Sequence, residues 1–291
     1  MNQDSSGQPT VSVIIPAYNR AKSIAAAVTS VSDQTFEDLE IIVVDDGSTD
    51  ETRKVVESLT DSRVRYVAHD ENKGANAARN TGVRLARGRY VAFQDSDDRW
   101  YPEKLARQMA ACTSSAATVC FCALNRHIGP ACTKIPKSSY RIPGGLNDLQ
   151  RQVLRGSFIS CQTLVIEREL VLSVGAFDES LPRLQDWELC LRLSQVAPIY
   201  YLDEVLVDLI LSDDSVSSDV SKYGKSAEQI LDRHRILFDR DPTAEGILRL
   251  NVALVSLRKG ELREFAAQSW RALLAAGIRL PVSAWVLFRR R

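Results

Sequence analysis

No stretch of the 291 residues stays apolar for long enough to span a bilayer. The opening Met1–Thr10 is polar and lacks an apolar signal core. These absences predict a chain that works in the cytoplasm. Neither sign of charge is in excess, with 37 Lys and Arg against 37 Asp and Glu. No global field would therefore draw in nucleic acid. The six cysteines, Cys112, Cys120, Cys122, Cys132, Cys161 and Cys190, contain no Cys-x-x-Cys pair and no zinc spacing. Most have apolar neighbours, which predicts reduced, buried thiols. Histidine is scarce, and His69, His127 and His234 stand alone in the sequence, so no role is assigned to them. The remaining composition, 45% hydrophobic and 25% charged, is that of an ordinary globular chain with room for one large domain or two.

What is present is a run of buried strands alternating with helices. Val11–Pro16, Leu39–Val44, Val64–Val67 and Arg89–Phe93 are short β-branched or apolar runs. Ile24, Val28 and Val31 recur at helical spacing, and Glu51–Leu59 reads as a helix that Ser48 or Thr49 could cap. Asn72–Gly82 reads as a loop and a helix with a small-residue face. Such alternation predicts a parallel sheet with right-handed crossovers. It excludes a dinucleotide-binding oxidoreductase, because Pro16-Ala17-Tyr18-Asn19 is no Gly-x-Gly-x-x-Gly turn. Further strands are expected at Val119–Leu124, Ser160–Ile166, Ile199–Leu202 and Val205–Leu209. Helices are expected from Trp100, with Pro102 in the first turn, and from near Asp186. Residues 125–150 read as an irregular loop.

Three loops at strand C-termini carry polar groups: Tyr18/Asn19, Asp45/Asp46 and Asp95/Asp97/Asp98. In an open α/β sheet they would meet along the edge where ligands bind. Taken alone, an Asp-x-Asp is a solvated acidic turn. Three carboxylates within four residues nevertheless repel one another unless a cation intervenes, and Mg²⁺ or Mn²⁺ with oxygen ligands is the natural counter-charge.

Five stretches together resemble a family-2 inverting glycosyltransferase of the GT-A fold. They are Val11–Asn19, Val43–Asp50, Asn72-Lys73-Gly74 with Ala78-Arg79-Asn80, Asp95–Asp98, and Gln185-Asp186-Trp187. The resemblance implies a mostly parallel α/β sheet covered by helices on both faces, a nucleotide-sugar donor and a divalent cation, Mn²⁺ or Mg²⁺. It implies that Pro16, Ala17, Tyr18, Asp45 and Asp46 hold the base, and that Lys73, Gly74 and Arg79 lie near base and ribose. Asp95 would face the ribose and donor sugar, Asp97 would ligate the metal, and Asp186 would be the catalytic base. Other readings stay open: Asp45 and Asp46 as helix caps, Asp186 as an N-cap, Trp187 as core or acceptor platform, Lys73 and Arg79 as solvated charges. The family often reads Glu-Asp-Trp where Gln185 precedes Asp186. Many members place a histidine where Ser212 stands, with Asp213 or Asp214 as a weak substitute.

The expected organisation is a tail over 1–10, a transferase domain over 11–222 and a helical extension over 223–291. Two amphipathic helices, Ala244–Lys259 and Glu261–Ala276, would bury Leu254, Leu257, Leu262, Phe265, Trp270, Leu273 and Leu274. Trp285–Arg291 would touch an anionic membrane surface weakly. The acceptor would be a glycan or a lipid-linked glycan. The rival is an inactive glycosyltransferase-like scaffold, against which Asp97 and Asp186 argue.

Overall fold

The computed structural model describes residues 7–137, 142–210 and 221–277. Ser212, Asp213, Asp214 and Trp285–Arg291, singled out above, lie outside them. The described residues divide into two compact units. One is drawn from Met1–Leu149, Phe158–Glu179 and Gln185–Ser212, the other from Gln150–Ser157, Ser180–Leu184 and Asp213–Arg291.

The first unit is built on β1 (Val11–Ala17), α1 (Ile24–Ser32), β2 (Leu39–Asp45), α2 (Thr52–Glu57), β3 (Val64–Ala68), α3 (Ala75–Leu85) and β4 (Tyr90–Phe93). It continues through β5 (Arg99–Trp100), α4 (Lys104–Ser115), β6 (Val119–Ile128), β7 (Ala131–Ile135) and β8 (Gly145–Asn147). After α5 (Gln150–Arg155), which belongs to the second unit, come β9 (Leu164–Glu167), α6 (Arg168–Ser173), α7 (Gln185–Val196) and β10 (Ile199–Ile210).

The sheet runs β3-β2-β1-β4-β9-β6-β10-β5, with β7 on β6 and β8 on β10. β1, β2, β3 and β4 are parallel, and β6 and β10 run the same way because β9 lies antiparallel between β4 and β6. The expected mostly parallel α/β sheet is therefore present. Every residue of β1 and β2 is buried, which a strand achieves only with cover on both faces. α3 approaches β1 so closely that a Cβ on Gly82 would lie 2.4 Å from Ile14 Cγ2. That approach brings the polar side of α3 to the sheet edge.

Several local expectations need correction. Residues 125–150 are not wholly irregular: among the described ones, Asn125–Ile128 continue β6, β7 pairs back onto them across Gly129-Pro130, and Gly145–Asn147 form β8. Asn125, Arg126 and His127 follow one another in the half-exposed part of this hairpin, which interrupts the apolar signal. Trp100 opens no helix; it pairs with Val207 as part of β5, and α4 starts two residues after Pro102. Ile199–Ile210 is one strand with register shifts between Leu202 and Val207. Cys161–Thr163 form a 3-10 turn ahead of β9. Asp50, not Ser48 or Thr49, accepts from the first helical amide, Thr52 N, at 2.9 Å.

The second unit adds α8 (Ser221–Arg233), α9 (Arg235–Arg240), α10 (Pro242–Arg258) and α11 (Leu262–Ala275). Asp241 caps α10 through Ala244 N, and Arg155 holds the same carboxylate at 2.8 and 3.0 Å. The apolar faces differ from expectation. Leu254, Leu257, Leu262 and Leu274 are exposed, while Leu248, Val252, Ala253 and Ala272 are buried. Small residues let the helices meet closely: a Cβ on Gly246 would lie 3.2 Å from Ala272 O. Among the described residues, no helix is long and apolar enough to cross a membrane.

Candidate active site

The three strand-end loops do converge. Asp46 N donates to Ala17 O at 2.8 Å, Asn19 N to Ser48 Oγ at 2.8 Å, and Thr49 N to Asn19 Oδ1 at 2.9 Å. Gly47, at φ +76°, turns so near the next loop that a Cβ would lie 2.8 Å from Glu71 C, so only glycine fits. Pro16 and Ala17 are buried at the end of β1, and Tyr18 is exposed beyond them.

The two acids of the second loop are tied to the protein. Asp45 accepts from Ser48 N at 2.8 Å and Tyr66 OH at 2.6 Å. Asp46 accepts from Lys73 N at 3.0 Å and Gly74 N at 2.7 Å, and its Oδ1 lies 2.7 Å from His69 Nδ1. His69 is thus not isolated: it joins Asp46 to Thr81 Oγ1 at 3.0 Å. The loop that presents the exposed Lys73 is shaped around Asp46. Neither Asp45 nor Asp46 caps α2.

Arg79 lies on the polar side of α3 and is buried, not solvated. Its Nη2 pairs with Asp95 Oδ1 at 2.6 Å and its guanidinium covers the Phe177 ring at 5.5 Å. Asn80 fixes that ring's backbone, donating to Phe177 O at 2.8 Å and accepting from Phe177 N at 2.9 Å. Burial opposes the Arg79 charge, but Cys161, Asp95 and Asp186 outweigh it and hold the group cationic. Arg79 Nε has no hydrogen-bond partner.

The three acids after β4 have separate fates. Asp95 takes Arg79. Asp98 is buried, with Oδ2 accepting from Gln162 Nε2 at 2.8 Å and Oδ1 from Ile210 N at 3.0 Å. The ion-pair partner of Asp97 is Arg20, at 4.0 Å. Burial first, then the Asp95 charge, push the Asp97 carboxyl above its usual range. An under-compensated carboxylate between two others fits a divalent cation. Among the described residues no three His, Cys, Asp or Glu side chains are grouped to hold an ion. Asp97 would share it with water and phosphate oxygens, as Mg²⁺ commonly is shared.

Asp186 is the second residue of α7 and reaches across to the 3-10 turn, where Cys161 N donates to its Oδ2 at 3.1 Å. It does not cap its own helix. Its Oδ1 is enclosed and has no partner. Burial pushes this carboxyl up, Arg79 pulls it down, and Asp95 adds to the rise. The same Cys161 places its thiol 3.7 Å from Asp95 Oδ1, so one residue touches both carboxylates. Trp187 is buried in the core. Glu188 is fully buried and held by Arg192. Cys161, Gln162 and His69 carried no signal of their own in the sequence, since each acquires its partner from a distant segment.

The family model described as Glycosyl transferase family 2 matches residues 12–169. The Escherichia coli UDP-Glc:alpha-D-GlcNAc-diphosphoundecaprenol beta-1,3-glucosyltransferase WfgD is 30% identical over 251 residues, covering 86% of this chain and 94% of that protein. Other relatives are longer, and the chain spans 36% and 30% of two of them. The crystal structure of S. aureus TarS 1-349 with UDP-GlcNAc shares the fold, at a TM-score of 0.66 and 22% identity, covering 91% of this chain and 72% of that one. So does the mannosyltransferase PcManGT of Pyrobaculum calidifontis with GDP-Man and Mn²⁺, at a TM-score of 0.66 and 19% identity, covering 97% and 79%.

Proposed function

Because the chain belongs to glycosyltransferase family 2, we propose that it moves a sugar from a UDP-linked donor to an acceptor hydroxyl, inverting the anomeric carbon. The product would be a polysaccharide, glycolipid or other cell-envelope glycan. The observation that carries this reading is the meeting at one sheet edge of a shaped nucleotide loop, a half-buried acid and an enclosed carboxylate. These are Asp46 with Lys73 and Gly74, then Asp97, then Asp186.

In this reading Pro16, Ala17, Tyr18 and Asp45 frame the base, and Asp46 shapes the loop of Lys73 and Gly74 around it. Arg79 and Asp95, paired at 2.6 Å, face the ribose and donor sugar. Asp97 would hold Mg²⁺ or Mn²⁺, which would neutralise charge on the departing diphosphate. Asp186 Oδ1 takes the acceptor's proton as the acceptor oxygen bonds to the anomeric carbon. The electrons of the breaking C–O bond leave with the diphosphate. A carboxylate whose affinity for protons is raised by burial is suited to that transfer. In this reading residues 11–222 carry the transferase site and 223–291 are an extension to it, although segments 150–157 and 180–184 belong to the extension's compact unit. The relative's acceptor is lipid-linked, and a similar acceptor would place the chain at the cytoplasmic face of a membrane, helped by weak contact through Trp285–Arg291.

The test is a panel of nucleotide sugars with Mn²⁺, read first by thermal shift and then by release of nucleoside diphosphate. Stabilisation and turnover with a UDP-sugar are expected. A folded chain that binds UDP yet turns over no donor would be the inactive scaffold.

A further inference from the structure

Both oxygens of Asp98 accept from nitrogen donors, and these partners are far apart in sequence. Gln162 Nε2 donates to Oδ2 at 2.8 Å, and Ile210 N donates to Oδ1 at 3.0 Å. Gln94 Nε2 donates to the Asp98 carbonyl at 2.7 Å. Gln162 and Gln94 are buried. Next to Gln162, the amide of Cys161 holds Asp186 at 3.1 Å and its thiol meets Asp95 at 3.7 Å. The turn at Cys161–Thr163 is fixed below by Gln108 Nε2, which donates to Thr163 O at 2.8 Å. This one turn therefore touches the acid loop at two points and the α7 carboxylate at a third.

We propose that Gln162 is a positioning residue that acts through Asp98 to hold the acid loop, the end of β10 and Asp186 at a fixed separation. This rests on the reading of Asp95, Asp97 and Asp186 as the transfer site. Gln162 itself touches neither donor nor acceptor. Its amide supplies the donor that lets a buried carboxylate bridge two elements. Without it Asp98 keeps Ile210 but loses the turn that carries Asp186. The distance between Asp97, beside the leaving group, and Asp186, beside the incoming hydroxyl, is then no longer set. A misplacement of about 1 Å in such a pair costs on the order of 10²-fold in rate.

The pair can be exchanged without loss of a hydrogen bond. In the chain carrying both Asp98→Asn and Gln162→Glu, the new amide at 98 donates to the new carboxylate at 162 and still accepts from Ile210 N. Gln162→Glu breaks the set by setting two carboxylates face to face, whereas Asp98→Asn can keep it once the Gln162 amide turns its oxygen to the new amide. The experiment uses the full chain and the hydrolysis of UDP-glucose and UDP-N-acetylglucosamine with Mn²⁺, beside hydrogen exchange at the Ile210 amide. Gln162→Leu and Gln162→Glu should lower kcat by about 10²-fold, with KM for the donor within about 3-fold, and Asp98→Asn should lower it less. The two changes at 162 should speed Ile210 exchange. The double exchange should return kcat to within about 5-fold of the parent and restore slow exchange. A double exchange that folds but stays as slow as Gln162→Glu would overturn the proposal. So would variants at 162 with unchanged turnover and unchanged exchange. Should the parent hydrolyse neither donor, the proposed function with these sugars fails, and the Ile210 exchange pattern across the four variants still decides the latch. A Gln162→Leu chain that does not fold leaves the pair exchange to decide.

Discussion

Glu40 and Asp186 are both carboxylates taken out of water at opposite ends of one sheet, and they are treated in opposite ways. Glu40 sits near the start of β2. It accepts from Ser12 Oγ at 2.7 Å, Arg65 Nη1 at 2.8 Å, Arg87 N at 2.8 Å and Arg87 Nε at 3.0 Å. Burial raises its carboxyl pKa, but the donors outweigh burial and hold it below the usual range. Asp186, at the other end, has the Cys161 amide on one oxygen and nothing on the other. Burial wins there and pushes it up. The first arrangement completes itself; the second waits for a proton donor. A saturated buried carboxylate stabilises a fold, and an unsaturated one marks a place where something else binds or reacts.

The sharpest way to break this comparison is to remove the unsaturated member's chemistry and keep its shape. Asp186→Asn should lower turnover by about 10²–10⁴-fold, the span of general-base catalysis, with donor affinity nearly unchanged. Steady-state kinetics beside UDP calorimetry measure both. Near-normal turnover would move the base elsewhere, and Glu188 is a poor heir because Arg192 already holds it.

The same change at the saturated end should do the reverse. Glu40→Gln keeps an acceptor for Ser12 Oγ and the Arg87 amide but turns an NH2 towards the Arg65 and Arg87 guanidinium groups, a loss of about 1–3 kcal/mol. At about 2–4 °C per kcal/mol for a chain of this size, that is roughly 2–12 °C in Tm. Turnover per folded molecule should be unaltered. Calorimetry and kinetics on the same sample check it; lost activity at full stability would dissolve the contrast.

A smaller effect lies in acid. Because Glu40 has a lowered folded pKa, its contribution is complete above the unfolded value near 4.5. It is lost as pH falls from there through the folded pKa. Urea denaturation from pH 7 to pH 3 should show the stability gap between parent and Glu40→Gln narrowing only below about pH 4.5. A constant gap would remove the ion from the account.

Much of this was legible because it is local. The apolar run Leu39–Val44, followed at once by Asp45 and Asp46, announces a strand and its C-terminal loop, and the alternation with helices gives the parallel sheet. Asp97 and Asp186 could be named from short motifs. What stayed hidden depends on pairing across the chain. His69 gains meaning only when Asp46, 23 residues away, faces it. Gln162 gains it from Asp98, 64 residues away. Trp100 reads as a helix entrance until Val207 pairs with it. The hairpin at 125–135 opens with three consecutive polar residues, Asn125, Arg126 and His127, on a half-exposed surface, so no apolar period reveals it. In the helical unit, leucines at amphipathic spacing turned out exposed because Gly246, Ala253 and Ala272 make the close contact instead.

Under the proposed function, the end of the sheet that carries Asp97 leaves its charge unbalanced for a cation and a diphosphate. Titration of UDP into the parent and into Asp97→Ala, each with Mn²⁺ and with EDTA, tests it most directly. Mn²⁺ should tighten UDP binding to the parent by at least about tenfold, or 1.4 kcal/mol, and Asp97→Ala should bind UDP equally with Mn²⁺ or EDTA. Equal affinity of the parent in Mn²⁺ and EDTA would contradict it.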